Sequence, residues 1–171
     1  HSEGSAAEHP VAKAAEKYGV TLVWLSAGDA FSIGQTRFQV LGPLAQDDED
    51  ENNNSLVVRV ETPQGSLLFT GDMEASEEHD LLSAGLIESA DVLKVAHHGR
   101  DDTTSRAFAF AVKPQWAVIS TSSQQEPRSP SDKVIAYLQG VKANVAVTQD
   151  AQAGILVTLS EGTATAEKLD W

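Results

Sequence analysis

Cysteine is absent from the 171 residues, which excludes disulfides, cysteine-ligated zinc and a thiol nucleophile. Positive charge is scarce: 12 Lys and Arg stand against 25 Asp and Glu, a formal −13 with histidine neutral. Such a charge repels polyphosphate, so a protein that coats nucleic acid by neutralising its backbone is disfavoured. An enzyme that meets phosphate through a bound cation stays open. Long hydrophobic runs are missing as well. The longest, Ala107 to Val112, falls far short of the ~18 residues that span a bilayer. His1 to Pro10 has neither the basic nor the apolar region of a signal peptide. No G-x-S-x-G elbow and no Walker loop occur, so neither a serine nucleophile nor a phosphate cradle announces itself.

What is present is an ordinary globular composition, 41% hydrophobic and 22% charged, in a chain long enough for a real core. No repeat or linker divides it, so residues 1–171 read as one domain. Glu8 to Tyr18, rich in Ala, Glu and Lys and stopped by Gly19, reads as a helix, and Val20 to Leu25 as a strand. Arg37 to Leu41 is a further strand. Asp47 to Glu51 is a block of five acids, expected to be a solvated loop. Ser55 to Val60 and Ser66 to Thr70, joined by Thr62-Pro63-Gln64-Gly65, form a hairpin. Strands and helices then alternate: a helix at 74–83, a strand at 92–95, a helix at 103–112, a strand at 116–120, a helix from 129 to 139 and a strand at 145–148. Two closing strands follow at 154–159 and 163–168. Trp24, Phe108 and Trp116 are expected in the core, His79 on the surface, and His1 and His9 in a frayed terminus.

Alternation of this kind predicts parallel strands joined by crossovers, and ligands gather beyond the carboxyl ends of such strands. Asp72 lies just past one strand end, His97 and His98 past the next, Ser120 to Ser123 (Ser122 among them) past the third, and Gln149 and Asp150 past the fourth. The hairpin returns Asn52, Asn53 and Asn54 to the same edge, because the start of its first strand faces the end of its second. A carboxylate and imidazoles collected at one edge suit Zn²⁺ or Mn²⁺. Each piece also has an ordinary reading: Gly-Asp after a strand is a common turn, and His-His-Gly a common loop before a helix. Their joint placement is what points to a site.

Three segments carry a resemblance: Asn52-Asn53-Asn54-Ser55-Leu56-Val57, Leu68-Phe69-Thr70-Gly71-Asp72, and Asp91-Val92-Leu93-Lys94-Val95-Ala96-His97-His98-Gly99. In order and spacing they resemble the metallo-β-lactamase-like domain of ComEC-type competence proteins, over about residues 10 to 160. The resemblance implies an α/β fold, the αββα sandwich, here truncated at its N-terminal side. It implies a parent that is a plasma-membrane channel for DNA uptake, with the domain facing outward, and a metal-dependent nuclease acting on the strand not taken up. By motif, Asp72 matches the bridging metal ligand, and one of His97 and His98, with His98 preferred, the last His ligand. The Asn52 to Asn54 run matches a motif near the site.

Two departures stand out. The H-x-H-x-D-H motif of the family is absent, so the chain looks like the C-terminal two-thirds of the domain. Where the family has Gly-His-Pro, this chain has Arg128-Ser129-Pro130, and a hydroxyl cannot serve as an imidazole does, as base or as donor to phosphate at neutral pH. The expectation is therefore a fragment of a Zn- or Mn-dependent phosphodiesterase or nuclease, inactive alone and binding metal weakly. The alternatives are a catalytically degenerate module that binds or supports the channel, and a hydrolase of a small phosphodiester or choline ester. DNA, the channel and the upstream segment are the expected partners. A homodimer through an exposed sheet edge or apolar face is expected as well.

Overall fold

The computed structural model describes residues 9–170 apart from 48, 123 and 125. His1, Glu8, Asp48 and Ser123 of the readings above lie outside the described residues. Nine strands and four helices follow in chain order: α1 (Pro10–Tyr18), β1 (Ala30–Ile33), β2 (Thr36–Gly42), β3 (Val57–Thr62), β4 (Gly65–Phe69), α2 (Ala75–Ser83), β5 (Val92–Lys94), α3 (Arg106–Val112), β6 (Trp116–Ile119), α4 (Asp132–Gly140), β7 (Asn144–Val147), β8 (Gly154–Ser160) and β9 (Thr163–Leu169).

Strands β1 to β7 form one sheet in sequential order, antiparallel from β1 to β4 and parallel from β4 to β7. The switch occurs where hairpins give way to helical crossovers, as the alternation predicts. Crossovers of one hand, in strands that advance in one direction, put α2, α3 and α4 on the same face. Their buried residues Leu81, Phe108, Val112, Val134 and Leu138 pack on Leu68, Leu93, Ala117 and Ile119 of the sheet. Strand alternation turns Phe69, Lys94 and Trp116 to the opposite face. There the β8–β9 hairpin docks through Gln115 and Trp116. The Trp116 indole donates to the Ala164 carbonyl at 3.1 Å. Gln115 donates to the Gly162 carbonyl at 2.7 Å and accepts from the Ala164 amide at 3.0 Å.

Two readings of the N-terminal region need correction. Val20 to Leu25 forms no strand, and the strand that follows α1 is β1. The apolar run 20–25 has no hydrogen-bonded partner strand, and Val20 and Val23 stand more than 60% exposed. Trp24 is 46% exposed rather than core and meets the His9 ring edge-on at 5.7 Å. A period-two pattern becomes a strand only where a neighbour can accept its ladder. Ala30–Ile33 finds that neighbour in β2, with Phe31 stacked on Phe38 at 4.8 Å.

Candidate metal centre

The site lies beyond the carboxyl ends of β4, β5 and β6. After β4, the buried Thr70 donates its hydroxyl to the Lys94 carbonyl at 2.7 Å, tying this strand end to the next. Gly71 then turns with φ +53, and a Cβ there would lie 2.9 Å from the Ser55 Cβ, so glycine alone fits. The turn aims the Asp72 amide at the Ser55 hydroxyl, 2.9 Å away, and leaves the Asp72 carboxylate half exposed.

After β5, residues Ala96–Gly99 form a tight turn in which His97 (φ 41, ψ 49) and His98 (φ 57, ψ 17) are both left-handed. Non-glycine residues enter this region at roughly 1–2 kcal/mol each. The surroundings hold it: the His97 amide donates to the Gly71 carbonyl at 3.1 Å, and the Ser131 amide to the Gly99 carbonyl at 2.8 Å.

The outcome for His98 is specific. Its Nδ1 donates to the Ser120 carbonyl at 2.6 Å, which places the lone pair of the neutral ring on Nε2. That atom lies 3.6 Å from Asp72 Oδ1 and 3.8 Å from Glu126 Oε1. Two donors each ~2.1 Å from one ion sit roughly 3–3.5 Å apart, so the spacing matches a shared cation after a small rotation. An imidazole oriented by a carbonyl, with carboxylates facing its other nitrogen, is the arrangement of a metal ligand.

His97 has different partners. Arg100 Nη1 stands 3.3 Å from its Nε2, and since a guanidinium only donates, Nε2 accepts and Nδ1 carries the proton. Nδ1 lies 2.9 Å from Glu74 Oε1, close but outside hydrogen-bond geometry. Asn52 donates to the same Glu74 oxygen at 3.0 Å, and Arg100 Nη2 to Asp102 at 2.9 Å. Donor atoms of Glu74, His97 and Asp102 lie within 4.8 Å of one another and form a second group able to hold an ion. The guanidinium already engages two of the three, so a cation there would meet a positive charge.

The other expected site residues spread out. Asn52 reaches Glu74. Asn53 accepts from the Glu77 amide at 3.2 Å and donates to Asp47 at 3.0 Å. Asn54 brackets the Asp47 backbone, accepting from its amide at 2.8 Å and donating to its carbonyl at 2.6 Å. The run thus braces the hairpin against α2 and the acidic loop, and amides of Glu49 and Asp50 hold the Asp47 carboxyl below its usual range. Ser122 accepts the Glu126 amide through its carbonyl at 2.8 Å. Ser129 is 2% exposed, with its hydroxyl unpartnered.

Several contributors gave no readable signal. Lys94 sits in a motif but looks like a strand residue. Its ammonium donates to the Val95 carbonyl at 2.8 Å; burial pushes its pKa down, and the nearby Asp72 charge opposes that. Glu126 and Asp102 lie in polar loops where acids are expected anyway. Glu77 and Glu78 are the acids of the first turn of α2, where the helix dipole favours negative charge, yet both are buried. Burial pushes the Glu77 carboxyl up to about 8, with Asp80 adding to the rise and the Ser55 amide opposing it. Burial also raises Glu78, although the Ser105 amide lies 3.1 Å from each of its oxygens.

No protein-family model matches the chain. ComE operon protein 3 of Bacillus subtilis is 36% identical over 132 residues, 77% of this chain and 17% of that protein. Recombination protein 2 of Haemophilus influenzae is 33% identical over 63% of this chain and 14% of its own length. Competence protein ComA of Neisseria gonorrhoeae is 33% identical over 57% and 14%. The chain thus spans about one sixth of these relatives or less. Among solved structures, CmlA, a diiron β-hydroxylase from Streptomyces venezuelae, superimposes over 86% of this chain and 34% of its own, with a TM-score of 0.50 and 10% identity. At that identity the likeness speaks for the fold alone.

Proposed function

Because the chain is homologous to competence proteins of the ComEC type and has the metallo-β-lactamase-like fold, we propose that it is the C-terminal part of a metal-dependent phosphodiesterase domain, a nuclease within a DNA-uptake protein. The observation that carries this reading is His98, held through Nδ1 by Ser120 with Nε2 facing Asp72 and Glu126. A divalent cation, when bound, supplies Lewis acidity toward phosphate oxygens and lowers the pKa of water. Asp72 and His98 would hold it, in an arrangement fit for Zn²⁺ or Mn²⁺. The chain's own residues do the rest. Ser55 and Gly71 aim Asp72, Ser120 fixes the His98 tautomer, and the Glu74–His97–Arg100 contacts fix the left-handed turn. Lys94 places a positive charge on the sheet face beside Asp72, where it would favour an approaching phosphate. No helix among the described residues is long and apolar enough to cross a membrane.

The test is cleavage of linear DNA with Mn²⁺ or Zn²⁺, by this chain and by a longer chain carrying an upstream H-x-H-x-D-H segment. The expected result is metal-dependent cleavage by the longer chain and none by the shorter. A metal-loaded longer chain that leaves DNA intact overturns the reading. Ser129 favours a second one, a degenerate module that binds without cleaving, because a hydroxyl stands where the resemblance expects an imidazole base.

A further inference from the structure

We propose that Glu126 is a third protein ligand, completing with Asp72 and His98 a three-donor cation site. The inference rests on the metal reading above and assigns a residue to it that neither motif nor resemblance supplies.

Three observations carry it. Glu126 Oε1 and Asp72 Oδ1, from two separate loops, each approach His98 Nε2, at 3.8 and 3.6 Å, so one ring nitrogen faces two carboxylates that side-chain rotation would bring onto a shared ion. Among the described residues no lysine or arginine lies within ion-pair distance of either carboxylate; the Lys94 ammonium, which acts on Asp72 from farther off, donates to the Val95 carbonyl instead. The Glu126 backbone is fixed on both sides: its amide donates to the Ser122 carbonyl at 2.8 Å, and its carbonyl accepts the Ser129 amide at 2.9 Å. A long side chain on a braced loop, half exposed and with no competing cation, is free to close on an ion. Ser129 on the same loop is buried and has no such freedom. Two carboxylates and one neutral imidazole form a hard-to-borderline set that leaves a position open, as in catalytic rather than structural sites.

The experiment is isothermal titration of the chain with Mn²⁺ and Zn²⁺, paired with the visible absorption of the Co²⁺-loaded protein. It covers wild type, Glu126→Gln, Glu126→Ala, Asp72→Ala and His98→Ala. The expected result is wild-type binding that Asp72→Ala and His98→Ala abolish and both Glu126 variants weaken at least tenfold. The Glu126 variants should also show an altered Co²⁺ spectrum and an unchanged thermal midpoint without metal. If both Glu126 variants bind within twofold of wild type, the assignment fails and the metal reading stands. Weaker binding with an unaltered Co²⁺ spectrum makes Glu126 a positioning residue and overturns its role as ligand. Absence of wild-type binding removes the metal reading, and the assignment with it.

Discussion

The Ser120 carbonyl determines which nitrogen of His98 meets the carboxylates: at 2.6 Å it takes the Nδ1 proton, and Nε2 is left facing Asp72 at 3.6 Å. The acceptor is a main-chain carbonyl just past the end of β6, which every residue type carries, so no substitution at 120 deletes it. The control over the tautomer belongs to the sheet rather than to a side chain.

The two adjacent histidines should therefore fail differently. His98→Ala is expected to abolish cation binding with little change in stability. His97→Ala should strip Glu74 and Arg100 of their shared partner and cost about 1–3 kcal/mol of stability, with a smaller loss of affinity. Urea unfolding and titration calorimetry on both variants check this; the reverse pattern would reassign the ligand to His97.

Gly71 is a sharper probe of the same loop. Alanine there is strained at φ +53 and its Cβ meets Ser55 at 2.9 Å, so the Asp72 amide must leave the Ser55 hydroxyl. Gly71→Ala should cost about 1–3 kcal/mol and impair cation binding, whereas Ser55→Ala removes one hydrogen bond and should cost about 1 kcal/mol. Denaturant midpoints that place Ser55→Ala below Gly71→Ala would contradict this ordering.

Glu77 predicts an inverted pH profile. Its carboxyl is raised from 4.5 to about 8 in the folded chain, mainly by burial. Between these values the unfolded chain has released the proton while the folded one keeps it, so its contribution is full below 4.5 and is lost as pH rises toward 8. Glu78 shifts in the same direction. Glu77→Gln should flatten this loss and raise stability at pH 8 by on the order of 1–2 kcal/mol after solvent screening. Chemical denaturation from pH 5 to 8.5 measures it, and parallel curves for wild type and variant would show that Glu77 is ionised when folded.

Gln115 is the clamp of the β8–β9 hairpin, with bonds to Asp91 at 2.8 Å, to the Gly162 carbonyl and to the Ala164 amide. Gln115→Ala should speed amide exchange in β8 and β9 selectively, while β4 to β7 stay protected. Uniform acceleration across both sheets would show instead that the hairpin is part of the main cooperative unit.

Much of this was legible before the fold was known. The alternation from 66 to 148 predicts four parallel strands, and the structure has them in that order, with Asp72, His98 and Ser120 past three consecutive ends. The misread stretch, 20–25, has the pattern of a strand but no pairing partner, which local sequence does not encode. Glu74, Arg100 and Glu126 were invisible for another reason. Acids and an arginine in polar loops carry no periodic signal, and only the three-dimensional return of those loops gives them partners. Glu77 and Glu78 show the limit in reverse, since an acidic first helix turn is here buried, Glu77 beneath the Asn53 contact and Glu78 against the Ser105 amide.

The bonds between Thr70 and Lys94, His97 and Gly71, and Ser131 and Gly99 join the three loops without help from an ion. The proposed receptacle would thus be built by the fold itself, unlike small zinc modules in which metal and fold arrive together. If the proposed site takes a cation, the ion should exchange without melting the chain, and a chelator should remove it while the thermal transition survives. Which cation resides there then depends on supply and ligand geometry rather than on the energy of folding.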